Sequence, residues 1–428
     1  MTSSNYLNAK RNRRNIGLLA LFYLALVIYG SLFPFTDWRT PLLDGVSLLT
    51  RSLRKPIFSR ADILTNVLAY VPLGLLLGLW LRKLGAKVTA VVFATVLGTI
   101  ISLSVEWVQT YLPTRMPSLI DLGTNALGTF LGALLARLVD RETAFGKLVH
   151  DLKSSWFKPG ALTNTGLIAI AFWALSQTSP LVPSLDWGNL KEGLAPISNW
   201  VRGSSAFNFG QAAVYALNIA ALCLLARTLG HARKPVLLLF WFFVGAVLFY
   251  KVPVVGRQLS LEALAGWFVA LPLAVTFLAL PGAGAALVAI LLLVVGFSMA
   301  ELQTVAFAPR FAFNSVPFLG QMETINGLGD ILGSLWPFVA LGYLACYAAP
   351  AAAGAGWAIF GGMLVFALSF GLEYYQQFLP GRHGDITVVL LALVGWTTPW
   401  LLGARRSEVE RHAATKPFKP RPRRDFQR

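Results

Sequence analysis

The chain has 428 residues, of which 56% are hydrophobic and 13% charged, and its mean hydropathy of +0.63 lies outside the range of soluble globular domains. Its formal charge of +17 excludes little by itself, but the basic residues cluster in every second segment between apolar runs: Lys10 to Arg14, Arg82 to Lys87, Arg137 to Lys158, Arg227 to Lys234 and the tail after Arg405. That pattern is the positive-inside signature of a multi-pass membrane protein, not a nucleic-acid surface. Cys223 and Cys346 both fall inside apolar runs, so a disulfide framework and a cysteine metal site are not indicated.

Apolar stretches of about twenty residues, each enough to cross a ~30 Å hydrocarbon layer as a helix, recur along the chain. The expected fold is all-α, a polytopic transmembrane bundle of about twelve spans built from repeated four-helix units. A basic cytoplasmic tail (1–15) precedes a first unit at 16–140. Its spans are read as Ile16–Phe35, an uncleaved first helix, then Asp62–Leu81, Val88–Leu112 and Asp121–Leu138. The loop Thr36–Arg60 is read as external, although Arg39, Arg51, Arg54, Lys55 and Arg60 run against the charge rule. A cytoplasmic linker (141–162), a degenerate middle unit (163–282), a second, also partly degenerate, four-helix unit (283–403) and a basic, disordered tail (404–428) complete the expected organisation. An even span number puts both termini in the cytoplasm, and the expected location is the plasma (inner) membrane.

Internal similarity supports the repeat. Asp330-Ile-Leu-Gly-Ser-Leu-Trp-Pro-Phe-Val-Ala-Leu-Gly342 aligns without a gap on Asp62-Ile-Leu-Thr-Asn-Val-Leu-Ala-Tyr-Val-Pro-Leu-Gly74, and Glu373, Gln376 and Arg382 keep the mutual spacing of Glu106, Gln109 and Arg115. Asp385 then reads as the partner of Asp121, which makes the second turn three residues shorter, with Ser334 for Asn66 and Val389 for Asn125. The middle unit carries fainter echoes, Asp186-Trp187 for Asp37-Trp38 and Arg257 with Glu262 for Arg115 with Asp121, and no Glu-x-x-Gln.

Charges set against apolar helices are costly, about 2.5 to 3.5 kcal/mol each at the bilayer centre on an insertion scale, and therefore informative. Glu106 and Gln109 share a helix face at i, i+3, as do Asp62 with Asn66 and Asp121 with Asn125 at i, i+4. With Arg115 in the intervening turn, three helices aim acids and amides at one place on the expected outer face. The corresponding residues of the last unit are Asp330, Glu373, Gln376, Arg382 and Asp385.

The string Asp62, Asn66, Pro72, Gly74, Glu106, Gln109, Arg115, Pro117, Ser118, Asp121, Asn125, Gly128 and Gly132 resembles the motif order of the VanZ-like family of integral membrane proteins, over Ile16 to Leu138. The resemblance implies an association with resistance to the glycopeptide teicoplanin and no defined chemistry. Three readings of the polar residues stand together. They brace the bundle, with Asp62 and Asp121 as N-caps, a Glu106–Arg115 pair and amides as interhelical glue; or they bind or shield an amphiphilic, lipid-linked envelope component or drug; or Asp62, Glu106 and Asp121 act chemically on such a substrate, as an acid-base pair or, without a specific signal for it, as oxygen ligands to Mg²⁺ or Ca²⁺, ion-coupled transport being the weakest variant. No metal, cofactor or nucleic acid is implied, and the expected partners are membrane lipids and that amphiphile. His383 reads as a solvated turn residue.

Overall fold

The computed structural model describes residues 3–41, 47, 60–86, 89–140, 142–231, 234–304, 308–322, 327–349 and 354–402. They form sixteen helices and no strand beyond isolated bridges. Twelve helices have 15 residues or more: α1 (Ser3–Leu32), α2 (Arg60–Lys83), α3 (Ala90–Gln109), α4 (Leu119–Leu138), α6 (Ala161–Thr178), α9 (Phe209–Leu229), α10 (Val236–Tyr250), α11 (Leu261–Thr276), α12 (Gly282–Glu301), α14 (Gly327–Ala348), α15 (Ala355–Gln376) and α16 (Ile386–Leu401). The shorter ones are α5 (Ala144–Trp156), α7 (Trp187–Gly193), α8 (Ala195–Val201) and α13 (Leu319–Met322).

Seven helices are long and apolar enough to cross a membrane, and four more apolar helices are shorter: the Ile16–Leu32 part of α1, and α10, α11 and α16. This is a polytopic helical bundle. The basic tail after Arg405 and most of the loop carrying Arg51, Arg54 and Lys55 lie outside the described residues.

The described residues fall into two compact units, one built on residues 3–155 and the other on residues 156–321 and 327–402. In the first, α2 and α4 make the most extensive contact, and α3 and α1 pack around that pair. Glycines allow the approach: a Cβ on Gly128 or Gly132 would run into the carbonyl oxygens of Val67 or Val71, and one on Gly74 into that of Thr129. Small residues facing backbone are the usual way helices gain contact where lipid supplies no hydrophobic drive.

In the second unit α9 packs most closely on α11 and α14 on α16. Helix α6 lies mainly against α14, and α12 mainly against α9. Thr228 of α9 and Tyr343 of α14 are joined hydroxyl to hydroxyl at 2.7 Å in the buried core. Trp241 and Trp267 stack at 4.3 Å, each donating its indole N–H to the other's backbone carbonyl at 2.9 Å.

The segment expected as a linker, 141–162, contains the helix α5. Composition hid it: Lys147, His150, Asp151 and Lys153 make it polar on average, while its apolar residues keep a helical period.

Candidate functional site

In the N-terminal unit the expected residues meet at one end of the bundle, at the C-terminus of α3 and the N-terminus of α4. Glu106 is buried at 3% exposure in the last turn of α3, and its Oε2 accepts the Ser118 N–H at 2.7 Å. Ser118 is the N-cap of α4, its Oγ accepting from the N–H groups of Ile120 (3.1 Å) and Asp121 (3.3 Å). A helix N-terminus exposes donors that need acceptors; here one hydroxyl and one carboxylate from the neighbouring helix supply them.

This arrangement corrects two expectations. Asp121 is not the cap but lies in the first turn, where its Oδ1 accepts from Asn66 Nδ2 at 2.8 Å and ties α4 to α2. Asp62 falls within α2, which starts at Arg60, so it does not cap that helix; its side chain lies outside the described residues. Asn125 sits one turn deeper, donating through Nδ2 to Ser102 Oγ at 3.0 Å. The interhelical amide bonds read from spacing are therefore present.

Arg115 corrects the expected ion pair with Glu106. Its Nε donates to the Phe33 carbonyl at 2.9 Å and its Nη2 to the Gly30 carbonyl at 3.0 Å, so the guanidinium clamps the C-terminus of α1. The chemistry is that of a cation at the negative end of a helix dipole, satisfying carbonyls that the helix leaves open. Burial in the turn lowers the Arg115 pKa from its ordinary value. Gln109 Nε2 joins the same helix end, donating to the Ser31 carbonyl at 2.8 Å. Among the described residues two buried groups beside this network make no hydrogen bond of good geometry, the Tyr70 hydroxyl and Asn125 Oδ1. Tyr70 neighbours both Ser102 and Glu106.

A similar set of bonds, made by other residues, lies where α15 meets α16 in the second unit. Glu373, 1% exposed in α15, accepts the Asp385 N–H through Oε2 at 2.8 Å, and Asp385 is the N-cap of α16, accepting from the Thr387 N–H at 2.8 Å. Asp385 thus stands twelve residues after Glu373 and caps its helix, as Ser118 stands twelve residues after Glu106 and caps α4. Arg382 donates through Nε to the Gln303 carbonyl at 2.5 Å and through Nη2 to the Ala300 carbonyl, a clamp on the end of α12. Gln376 Nε2 donates to Glu301 Oε2 at 2.7 Å and approaches Glu373 Oε1 at 3.4 Å. Gln321 Nε2 donates to Asp385 Oδ2 at 3.1 Å. Asp330 takes no part in these bonds among the described residues; it is exposed, and its charged neighbour is Arg257.

Two participants escaped the sequence reading. Glu301 closes an otherwise apolar run and belongs to no motif; its only signal was the cost of an acid at the end of a span. Lys251 is buried at the end of α10 with its ammonium 5.8 Å from the Tyr215 ring centre, six residues before Arg257 as Gln109 stands before Arg115 and Gln376 before Arg382. Arg257 itself donates to the Ser179 carbonyl just past the end of α6. His383 stacks on Phe311 with ring centres 3.6 Å apart, which makes it a packed turn residue and not simply a solvated one.

Among the described residues no three histidine, cysteine or acidic side chains gather closely enough to hold a metal ion. The polar groups bind one another and the backbone. Around them, at the same end of the first unit, Phe35, Trp38, Tyr111 and Met116 are exposed, Met116 at 86%, and the Arg39 N–H donates to the Tyr111 carbonyl at 3.0 Å, joining the loop after α1 to the turn after α3.

No curated protein and no solved structure matches the chain. Residues 14–140 match the VanZ/LLP1 family model, and this stretch contains the Glu106–Ser118 cap, the Arg115 clamp and the Asn66–Asp121 bond. Over that N-terminal stretch this multi-pass helical protein is similar to the VanZ/LLP1 family.

Proposed function

We propose that the protein binds, and thereby shields, an amphiphilic component of the cell envelope or a glycopeptide-type antibiotic, at the α1–α3–α4 end of its N-terminal unit. The observation that carries this reading is the exposed rim of Phe35, Trp38, Tyr111 and Met116 beside the exposed Arg39. Large apolar side chains beside a cation suit a ligand with a greasy part and an anionic head. In this reading Glu106, Gln109, Arg115, Asp121, Asn125, Asn66 and Asp62 form the frame that holds the rim, rather than its contact surface. The protein lies in the plasma membrane with both termini in the cytoplasm, which places the rim outside.

The chain is built from three related four-helix groups. Supporting this, Arg115, Arg257 and Arg382 each donate to backbone carbonyls at the end of the first helix of their group, and Glu106 and Glu373 each accept a backbone N–H twelve residues on. Asp330, Glu373, Gln376, Arg382 and Asp385 then belong to the frame of the last group.

The test is binding of a labelled glycopeptide and of a polyprenyl-diphosphate-linked sugar to the purified protein in lipid nanodiscs. Saturable binding to either, weakened by Trp38→Ala and Met116→Ala with thermal unfolding unchanged, is the expected result. Absence of saturable binding to both probes overturns the reading.

A further inference from the structure

Helix α5 leaves an apolar face uncovered. Phe145, Leu148, Val149 and Leu152 stand at i, i+3, i+4 and i+7, one stripe of a helix, and each is 37–55% exposed. The helix has 13 residues, about 20 Å at 1.5 Å per residue, too short to cross a bilayer.

Its position is fixed from its N-terminus. Thr143 Oγ1 donates towards the carbonyls of Leu138 (2.7 Å) and Asp140 (2.9 Å) and accepts the Gly146 N–H at 2.9 Å. Gly146 rests so close to the Asp140 carbonyl that a Cβ would not fit, and Arg82 forms an ion pair with Asp140. The start of α5 is thereby tied to the ends of α2 and α4, where Lys83 and Arg137 also stand. An amphipathic helix at the level where two spans end lies in the headgroup layer, and the basic residues beside it complement lipid phosphates.

We propose that α5 is an interfacial helix that docks on the anionic lipid surface at this basic end of the N-terminal unit. Phe145, Leu148, Val149 and Leu152 enter the acyl-chain boundary. Lys83 and Arg137 face the phosphates, their long stems letting the charges reach the headgroups.

The test uses the full chain carrying Cys223→Ala and Cys346→Ala, with Leu148→Cys, Leu152→Cys, Lys147→Cys or Asp151→Cys labelled by an environment-sensitive fluorophore. Each protein is reconstituted in phosphatidylcholine vesicles with or without phosphatidylglycerol. The expected result is a blue shift, and loss of intensity with brominated lipid, at 148 and 152 but not at 147 and 151, larger when phosphatidylglycerol is present. If the alanine background does not fold, the same positions are read in the native background with the unsubstituted protein's signal subtracted. Labels at 148 and 152 that stay aqueous, or that are shielded without quenching by brominated lipid because protein covers the stripe, overturn the proposal. Equal responses in both vesicle types overturn its anionic part.

Discussion

The Glu106 carboxylate accepts the backbone N–H of Ser118 at 2.7 Å, so the acid that ends α3 completes the cap of α4. A buried hydrogen bond contributes about 0.5 to 1.5 kcal/mol, and up to about 3 kcal/mol where the acceptor is charged, and its loss leaves a buried N–H unpaired. Glu106→Ala should therefore lower the thermal midpoint of the purified protein and its abundance in membranes. Glu106→Gln keeps an acceptor oxygen and should recover much of the loss. Equal losses in the two variants would show that charge, and not the cap, is what Glu106 supplies.

The arginine clamp carries a second expectation. Arg115 reaches two carbonyls of α1 with one planar fork, Phe33 through Nε and Gly30 through Nη2. Lysine has the charge but not the fork. Arg115→Lys should loosen the joint between α1 and the turn at 110–118, seen as faster proteolysis near Trp38, and Arg382→Lys should do the same for the end of α12. If proteolysis near Trp38 is unchanged in Arg115→Lys, the clamp is not what holds that helix end.

How far these contacts could be read in advance differs by the kind of group involved. Side chains that meet side chains across helices were legible, because spacing puts Asn66 and Asp121 on faces that the packing of α2 on α4 then brings together. Side chains that meet backbone were not, since a carbonyl at a helix end has no letter in the sequence. That is why Arg115 was assigned to Glu106 and the cap to Asp121, when Ser118 and the α1 carbonyls were the true partners. Helix α5 was missed for another reason: averaged composition hides a stripe that periodicity shows. Glu301 was missed because a residue outside a motif is noticed only when its neighbour, here Gln376, is known.

Glycine contacts between α2 and α4 predict a position-specific result. A Cβ at Gly132 would overlap the Val71 carbonyl, whereas Gly123 on the same helix has nothing within 4 Å. Overpacking costs about 1 to 3 kcal/mol, while glycine to alanine in an open helix position gains up to about 1 kcal/mol. Gly132→Ala should lower the thermal midpoint in detergent and Gly123→Ala should hold or raise it. A fall of similar size in both would mean that α2 and α4 do not approach as closely as their glycines allow.

The poorly satisfied hydroxyl of Tyr70 gives the reverse of the usual outcome for a buried polar residue. Tyr70 is buried next to Glu106, and among the described residues its hydroxyl faces the Ser102 side chain without a hydrogen bond of good geometry. Burying a polar group without a partner costs about 1 to 3 kcal/mol, and removing the group returns that cost. Tyr70→Phe, which keeps the ring and its packing, should leave the thermal midpoint unchanged or raise it. Asn125→Ala, by contrast, removes the bond from Nδ2 to Ser102 and opens a space between α3 and α4, so it should lower the midpoint although it also deletes an unpartnered oxygen. Measuring both variants by thermal unfolding in the same detergent checks the pair, and a clear fall for Tyr70→Phe would mean that its hydroxyl is hydrogen-bonded in the folded protein.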